Sequence, residues 1–555
     1  MPALYARVTL NQMRDEAPGR QEQAGKMAFG QVRHRTHKWM AAARRAYWLC
    51  LAVGFCLFSA SVLAQLPAPQ LSPSPPPPAS AASPEPAPAA PLTSGRPEPV
   101  PDQHAEPGLA ATKPETKITA QQAQELFRSV DKILKFVSND TGLPIKHRVK
   151  RRLAGRAQVE SYIASRLQGD EEAKRLEHSS VVLKKFGLVP QDFNLRQFLI
   201  ALLREQVAGY YDARTKTVYL LDWVEPDDQK PVLAHELTHA LQDQNFGLER
   251  LSKSAARKDP TGLQTDERLA AREAVVEGQA MIVSMDYLLA PEGTSVARHP
   301  EMVEAMQPGL NGNAPEMDVF SRAPIFMKQV LLFPYQYGAL FERDVLTAEG
   351  KQKAFAGTLK HPPEDTRQIM KPNTYMEGRI VPPLEPLAFD RLAPGYQLWD
   401  LSLMGEFDVY LLLEQYATPE IANDLSQMWR GGYYWAAKTP SAPGDDQELT
   451  TRSLAVAYVS RWFNADAAAE FAGIFADNVL KRYPGAQQTE GTVSPKLEEV
   501  PGTGIQVKVP PRLSGPVIWQ TSEGQVSIET RGNTVLVMES INRQTENAIR
   551  EAVFR

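Results

Sequence analysis

Cysteine is almost missing from this chain. Two stand in 555 residues, Cys50 and Cys56, both inside one short apolar stretch near the N-terminus. A folded part downstream therefore has no disulfide framework and no thiolate ligand, and a metal site in it must be built from histidine and carboxylate. An excess of either charge is lacking too: 61 Lys and Arg stand against 65 Asp and Glu. Bulk electrostatics thus call for neither a nucleic-acid partner nor an acidic membrane surface. The apolar stretch itself, Ala46 through Phe58, falls short of the roughly 20 residues of a stable membrane span. No repeated unit is detectable in the C-terminal part.

Proline, by contrast, is abundant, with 45 residues concentrated near the start. Arg44-Arg45, the apolar stretch and then Ser59-Ala-Ser-Val-Leu-Ala64-Gln65 have the layout of a secretory signal, with Val62 and Ala64 before a cut at Gln65. The 39 residues ahead of Met40 make a long leader, so translation is expected to start at Met40 or Met27. The expected location is secreted, periplasmic or envelope-associated; left uncleaved, the segment would anchor the body to a membrane from outside the cytoplasm. Residues 65–117, rich in Pro, Ala, Ser and Glu, cannot bury enough apolar surface to offset chain ordering and read as a linker.

From Ile118 the composition turns globular. Apolar residues at helical spacing run from Ala120 to Val137 and again through 155–206. Residues 118–200 suit either a pro-segment or an N-terminal lobe. Two β-prone runs flank the polar Asp212–Lys216 segment and predict a hairpin. Residues 405–430 and 446–483 read as helices, with an aromatic cluster at Trp429-Arg-Gly-Gly-Tyr-Tyr-Trp435 for a core or a substrate pocket. Pro516–Ser540 reads as strands with tight turns before a closing helix. The expected division is a main domain over 118–490 and a small α+β appendage over 491–555.

The chemistry concentrates in His235-Glu-Leu-Thr-His239. Two histidines four apart on a helix project from one face and can grip one metal ion, with Glu236 able to reach a water on it. Such an ion needs a third protein ligand and an open position. A third histidine three residues past a glycine is excluded, because Gln242 and Asn245 occupy those places. A glutamate from a later helix remains, and Arg272-Glu273-Ala-Val-Val-Glu277-Gly-Gln-Ala280 offers two candidates one turn apart. Asp243, one turn beyond His239, is placed either to support a histidine or to be solvated. His147, His178, His299 and His361 lack ligand spacing.

His235-Glu-Leu-Thr-His239-Ala with Asp243 resembles the active-site helix of thermolysin-like enzymes, and Glu277-Gly-Gln-Ala280 resembles the ligand segment of gluzincin aminopeptidases. The body is similar to a group of bacterial zincin-like proteins that share the extended histidine run. Their further landmarks match Phe333-Pro-Tyr335-Gln-Tyr-Gly338, Pro363-Glu-Asp-Thr366-Arg-Gln-Ile369 and Gly405-Glu406. The chain departs from them at Lys371-Pro372, where they often carry His-Pro, and its spacing from His239 to Glu277 is longer than in the enzyme families.

The resemblance implies an α+β zincin-like core, mostly helical with a small sheet. It also implies one zinc per chain, held by His235, His239 and Glu277, with Glu273 as support or alternative ligand. Glu236 would act as general base and then acid on a peptide or protein substrate. Val218, Tyr219 and Leu220 would form the edge strand that pairs with that substrate. A Tyr would donate to the oxyanion, Tyr335 first, then Tyr337, Tyr210 or Tyr211. The contrasting expectation is an inactive envelope or peptide-binding protein with a structural zinc.

Overall fold

The computed structural model describes residues 117–167, 180–206, 209–257, 262–310, 318–444, 449–493, 496–499, 506–509, 511–513 and 515–555. The expected signal segment and linker lie outside them, as does His178. Among the described residues no helix is long and apolar enough to cross a membrane. The architecture is α+β, as expected.

Helix α1 (Ala120–Thr141) begins where Thr119 and Gln122 cap each other's backbone and ends at Gly142, in the left-handed region that glycine adopts without strain. Its buried stripe, including Leu126, Val130, Ile133 and Val137, packs on α2 (Pro226–Phe246), the helix of the histidines. Strand β1 (Lys150–Ala154) follows, then the hairpin of β2 (Tyr210–Asp212) and β3 (Thr217–Leu221), which turns through Lys216 at φ 55°.

Here one expectation is corrected. The sheet order is β1-β3-β2, so Val218, Tyr219 and Leu220 belong to a middle strand, not an edge. β1 pairs with β3 in parallel along residues 217–221. Beyond β2, the Gln229 side chain closes the remaining backbone: Leu221 N–H donates to its Oε1 at 2.9 Å, and its Nε2 donates to Leu221 O at 3.0 Å. The edge beside α2 belongs to β2. The N-terminal segment supplies a strand to this sheet and a helix to the core.

Helix α3 (Thr265–Leu289) is buried along almost its whole length and crosses α4 (Ile325–Glu349) at very close range. A Cβ on Gly278 would lie 2.2 Å from Gly338 O, and one on Gly338 would lie 2.1 Å from Ala274 O. Both positions must be glycine for the backbones to approach this far. Gly278 therefore packs against the helix of Tyr335. Farther along come the short helices α5 (Thr366–Met370) and α6 (Glu406–Tyr416).

The C-terminal half overturns the expected small appendage. Strands β4 (Gln397–Leu403), β5 (Trp429–Lys438), β6 (Leu454–Trp462) and β7 (Gln487–Glu490) share one antiparallel sheet with β10 (Val517–Thr521), β11 (Gly524–Arg531) and β12 (Thr534–Glu539). β8 (Lys496–Glu499) and β9 (Gln506–Val509) form a separate ladder. The seven-stranded order is β4-β5-β6-β12-β11-β10-β7, so a boundary at 490 would cut the sheet through its centre.

Side chains alternate across it. Tyr433, Trp435, Ala457 and Met538 share one cluster with Ile549 of α8 (Arg543–Val553), while Tyr434, Tyr458 and Trp462 join the main core with Phe471 of α7 (Ala465–Asp477). The Trp429–Trp435 cluster is therefore strand and core. Residues 454–462 are strand where helix was expected, because a strand buried on both faces loses the alternation that marks it in sequence.

Candidate metal centre

Pro226 opens α2, and Asp227 and Asp228 in the first turn complement its unsatisfied N–H groups. The next turns bring His235 and His239 inward, 5% and 8% exposed. Glu277, from the middle of α3, meets them: its Oε2 lies 3.1 Å from His235 Nε2 and 3.4 Å from His239 Nε2. The three ligand atoms all fall within 4.8 Å of one another. Ligands at about 2.0–2.1 Å from a tetrahedral zinc lie roughly 3.4 Å apart, so the donor set and its spacing fit such an ion. The cluster can hold a metal ion.

The orientation of His239 is fixed by a residue that the sequence did not single out. Gln242 Nε2 donates to Val276 O and to Gln279 Oε1, both at 2.9 Å. Its Oε1, 2.9 Å from His239 Nδ1, must then accept the Nδ1 proton, which turns Nε2 toward Glu277. Gln279 is anchored in turn on Ala354 O and Thr358 Oγ1, each at 2.9 Å.

Asp243 supports no histidine. Its carboxylate receives the Tyr211 hydroxyl at 2.8 Å and the Lys216 ammonium at 2.5 Å, and so ties the hairpin to α2. The available signal was a glutamine at the third place after His239 in an otherwise apolar turn, where a buried amide demands partners.

Electrostatics bind the cluster together. Burial alone would depress the His239 imidazolium, but the Glu277 carboxylate, its hydrogen bond and the Glu236 charge overcome this and hold His239 up at about 9. Burial likewise penalises the Glu277 carboxylate, and the two histidines outweigh it, holding Glu277 down at about 2. Without a metal, the cluster is a buried carboxylate paired with a protonated imidazole. Glu236, 4% exposed, is held by the hairpin: the Tyr211 N–H, directed away from β3, donates to its Oε2 at 2.7 Å.

The candidate tyrosines separate by position. The Tyr335 ring lies over His235 with centroids 6.3 Å apart, and the side chain is fully buried. Tyr337 packs with Phe333 and Phe407, Tyr210 stacks between Tyr162 and Tyr219, and Tyr211 commits its hydroxyl to Asp243. Glu273 is buried but stands outside the ligand group, against an apolar cavity of about 130 Å³ that Phe333, Pro334 and Phe407 also line. Four residues of helix rise about 6 Å, and that step separates ligand from non-ligand. His147, His299 and His361 also stand outside the cluster.

Comparisons with family models, with curated proteins and with solved structures find no match.

Proposed function

We propose that this chain is an exported zinc-dependent peptidase with a zincin-like core, in which His235, His239 and Glu277 hold the metal and Glu236 moves the proton. The observation that carries the reading is the joining of two features. A closed His-His-Glu donor set lies beside a glutamate that takes no part in it and is separately held by a backbone N–H. A structural site has no use for that second acid.

Zinc, when bound, supplies a Lewis acid and brings the pKa of coordinated water to about 7. Glu236 accepts the proton from the attacking water and passes it to the departing amine nitrogen. The Tyr211 N–H keeps one of its oxygens fixed. Gln242 and Gln279 hold His239 in the tautomer that offers Nε2. Tyr335, beside His235, donates to the developing oxyanion. A substrate backbone runs along β2, the edge strand next to Glu236.

The test is a pair of substitutions assayed for metal content and for hydrolysis of a mixed peptide library. Glu236→Gln keeps about one zinc per chain and loses about a hundred- to ten-thousandfold in rate; His239→Ala loses both. Full chelator-sensitive hydrolysis by Glu236→Gln would overturn the mechanism. Zinc-loaded wild-type protein without hydrolysis of any peptide would leave the metal as a structural one.

A further inference from the structure

Away from the metal, α5, the segment 379–384 and strands β5 and β6 enclose a cavity of about 450 Å³ lined by Arg367, Arg379, Arg430 and Arg461. No carboxylate lines it; the rest of the wall is Thr374 and the run Ile380-Val-Pro-Pro-Leu384. We propose that this pocket binds a phosphate-bearing small molecule, its phosphate among the arginines and its organic part against Val381–Leu384.

The arginines are held in place from behind. Arg367 pairs with the fully buried Glu406 at 2.8 Å and donates to Trp429 O at 3.2 Å. Arg430 donates to Gln427 O and Trp429 O at 2.9 and 2.7 Å and lies 5.0 Å above the Phe463 ring. Arg367 also donates to Gln427 O at 3.4 Å, so the two guanidiniums share one pair of carbonyls and like charges are forced together. Glu406 is the one carboxylate close to both, and Lys371 claims it as well, at 2.8 Å. Burial and the nearby Arg367 charge push Arg430 below the ordinary arginine range, with Glu406 opposing.

In front of this pair, the Arg461 side chain has no hydrogen bond or ion pair among the described residues. Arg379 meets Glu377, and both are more than half exposed. The wall opposite is rigid: Gln368 Nε2 holds Arg379 O at 2.9 Å, and Asp365 accepts the Val381 N–H. Arg367, Arg430 and the neighbouring Lys371 are half-buried around Glu406, with Asp365 acting on Arg367 as well. The exposed Arg461 adds a further positive charge to the lining, so the pocket wall is net positive. A phosphate dianion supplies negative charge in the planar, bidentate geometry that guanidinium matches, whereas a single carboxylate compensates only one arginine.

The probe is glucose 6-phosphate, titrated calorimetrically into the full zinc-loaded chain at low ionic strength. Saturable one-site binding is expected, weakened by added salt. Arg461→Gln and Arg430→Gln should each weaken it by about tenfold or more, and exposed Arg512→Gln, elsewhere on the surface, should leave it unchanged. Because Arg461 is exposed on β6, its replacement keeps the fold, which a melting curve verifies. Absence of saturable binding, or binding that Arg461→Gln leaves intact, would overturn the site. Gluconate binding as tightly as glucose 6-phosphate would overturn the assignment to phosphate.

Discussion

Two carboxylates deep in this protein have nearly the same surroundings and opposite chemistry. Glu277 and Glu406 are both buried, and each stands within hydrogen-bond range of two basic side chains. The partners of Glu277 are imidazoles, which can give up a proton and then present a lone pair to a metal. The partners of Glu406 are Arg367 and Lys371, a guanidinium and an ammonium that pair with it as ions. One cluster is therefore open to exchange of proton for metal, and the other is a fixed ionic knot joining α5 to α6. The side-chain type around the acid decides this, since burial is comparable.

The comparison breaks most sharply at the knot. Glu406→Gln leaves two cations without their buried partner, and a loss of about 3–5 kcal/mol in unfolding free energy is expected. Chemical denaturation measures it, and zinc content per folded chain should not change. The metal cluster should respond to pH. Against the penalty of burial, the Glu277 carboxylate holds His239 up at about 9, so below that pH a bound metal must displace one proton. Zinc affinity should accordingly rise with pH, by about tenfold per unit and about a hundredfold from pH 6 to 8, in a buffered competition assay. Affinity independent of pH in that window would show that His239 is not the proton-bearing ligand.

Smaller effects sharpen the same contrast. Gln242→Ala removes the acceptor that orients His239 and should weaken zinc by about ten- to a hundredfold. Gly278→Ala pushes a methyl into the Gly338 carbonyl and should cost about 1–3 kcal/mol of stability, read as a lowered melting temperature with or without metal. Asp243→Asn touches the hairpin tie only, and its zinc affinity should stay within about threefold of wild type.

The segments 363–369 and 405–406 meet in the same region. Thr366 donates its N–H and hydroxyl to Glu267 of α3 at 3.0 and 2.8 Å, and a Cβ at Gly405 would collide with that carboxylate. Arg367 and Glu406 form the knot. These residues are far apart in the chain and converge on the N-terminal end of the helix that carries Glu277. Lys371 serves the knot and not the metal.

The site was more legible than the fold. Histidines four apart on a helix declare a shared face whatever surrounds them, so His235, Glu236 and His239 could be read locally, as could α1 with its capping box and the hairpin turn at Lys216. Choosing Glu277 over Glu273 needed the resemblance, since the two lie one turn apart on the same helix. The seven-stranded sheet could not be read. β6 is apolar on both faces and looks helical, and its partner β12 lies more than 70 residues onward.

What the sequence determined by itself is what short-range geometry fixes: a helix presenting two imidazoles and a base, the exclusion of thiolate ligands, and the caps and turns of individual elements. Only the tertiary structure decided that β3 is a middle strand, that Gln242 rather than Asp243 orients a histidine, and that residues 491–555 complete a sheet begun at Gln397. Those outcomes depend on which distant backbone fills a hydrogen-bonding edge or a buried polar contact. Such pairing is set by the whole packed core, because every buried donor and acceptor must be satisfied at once.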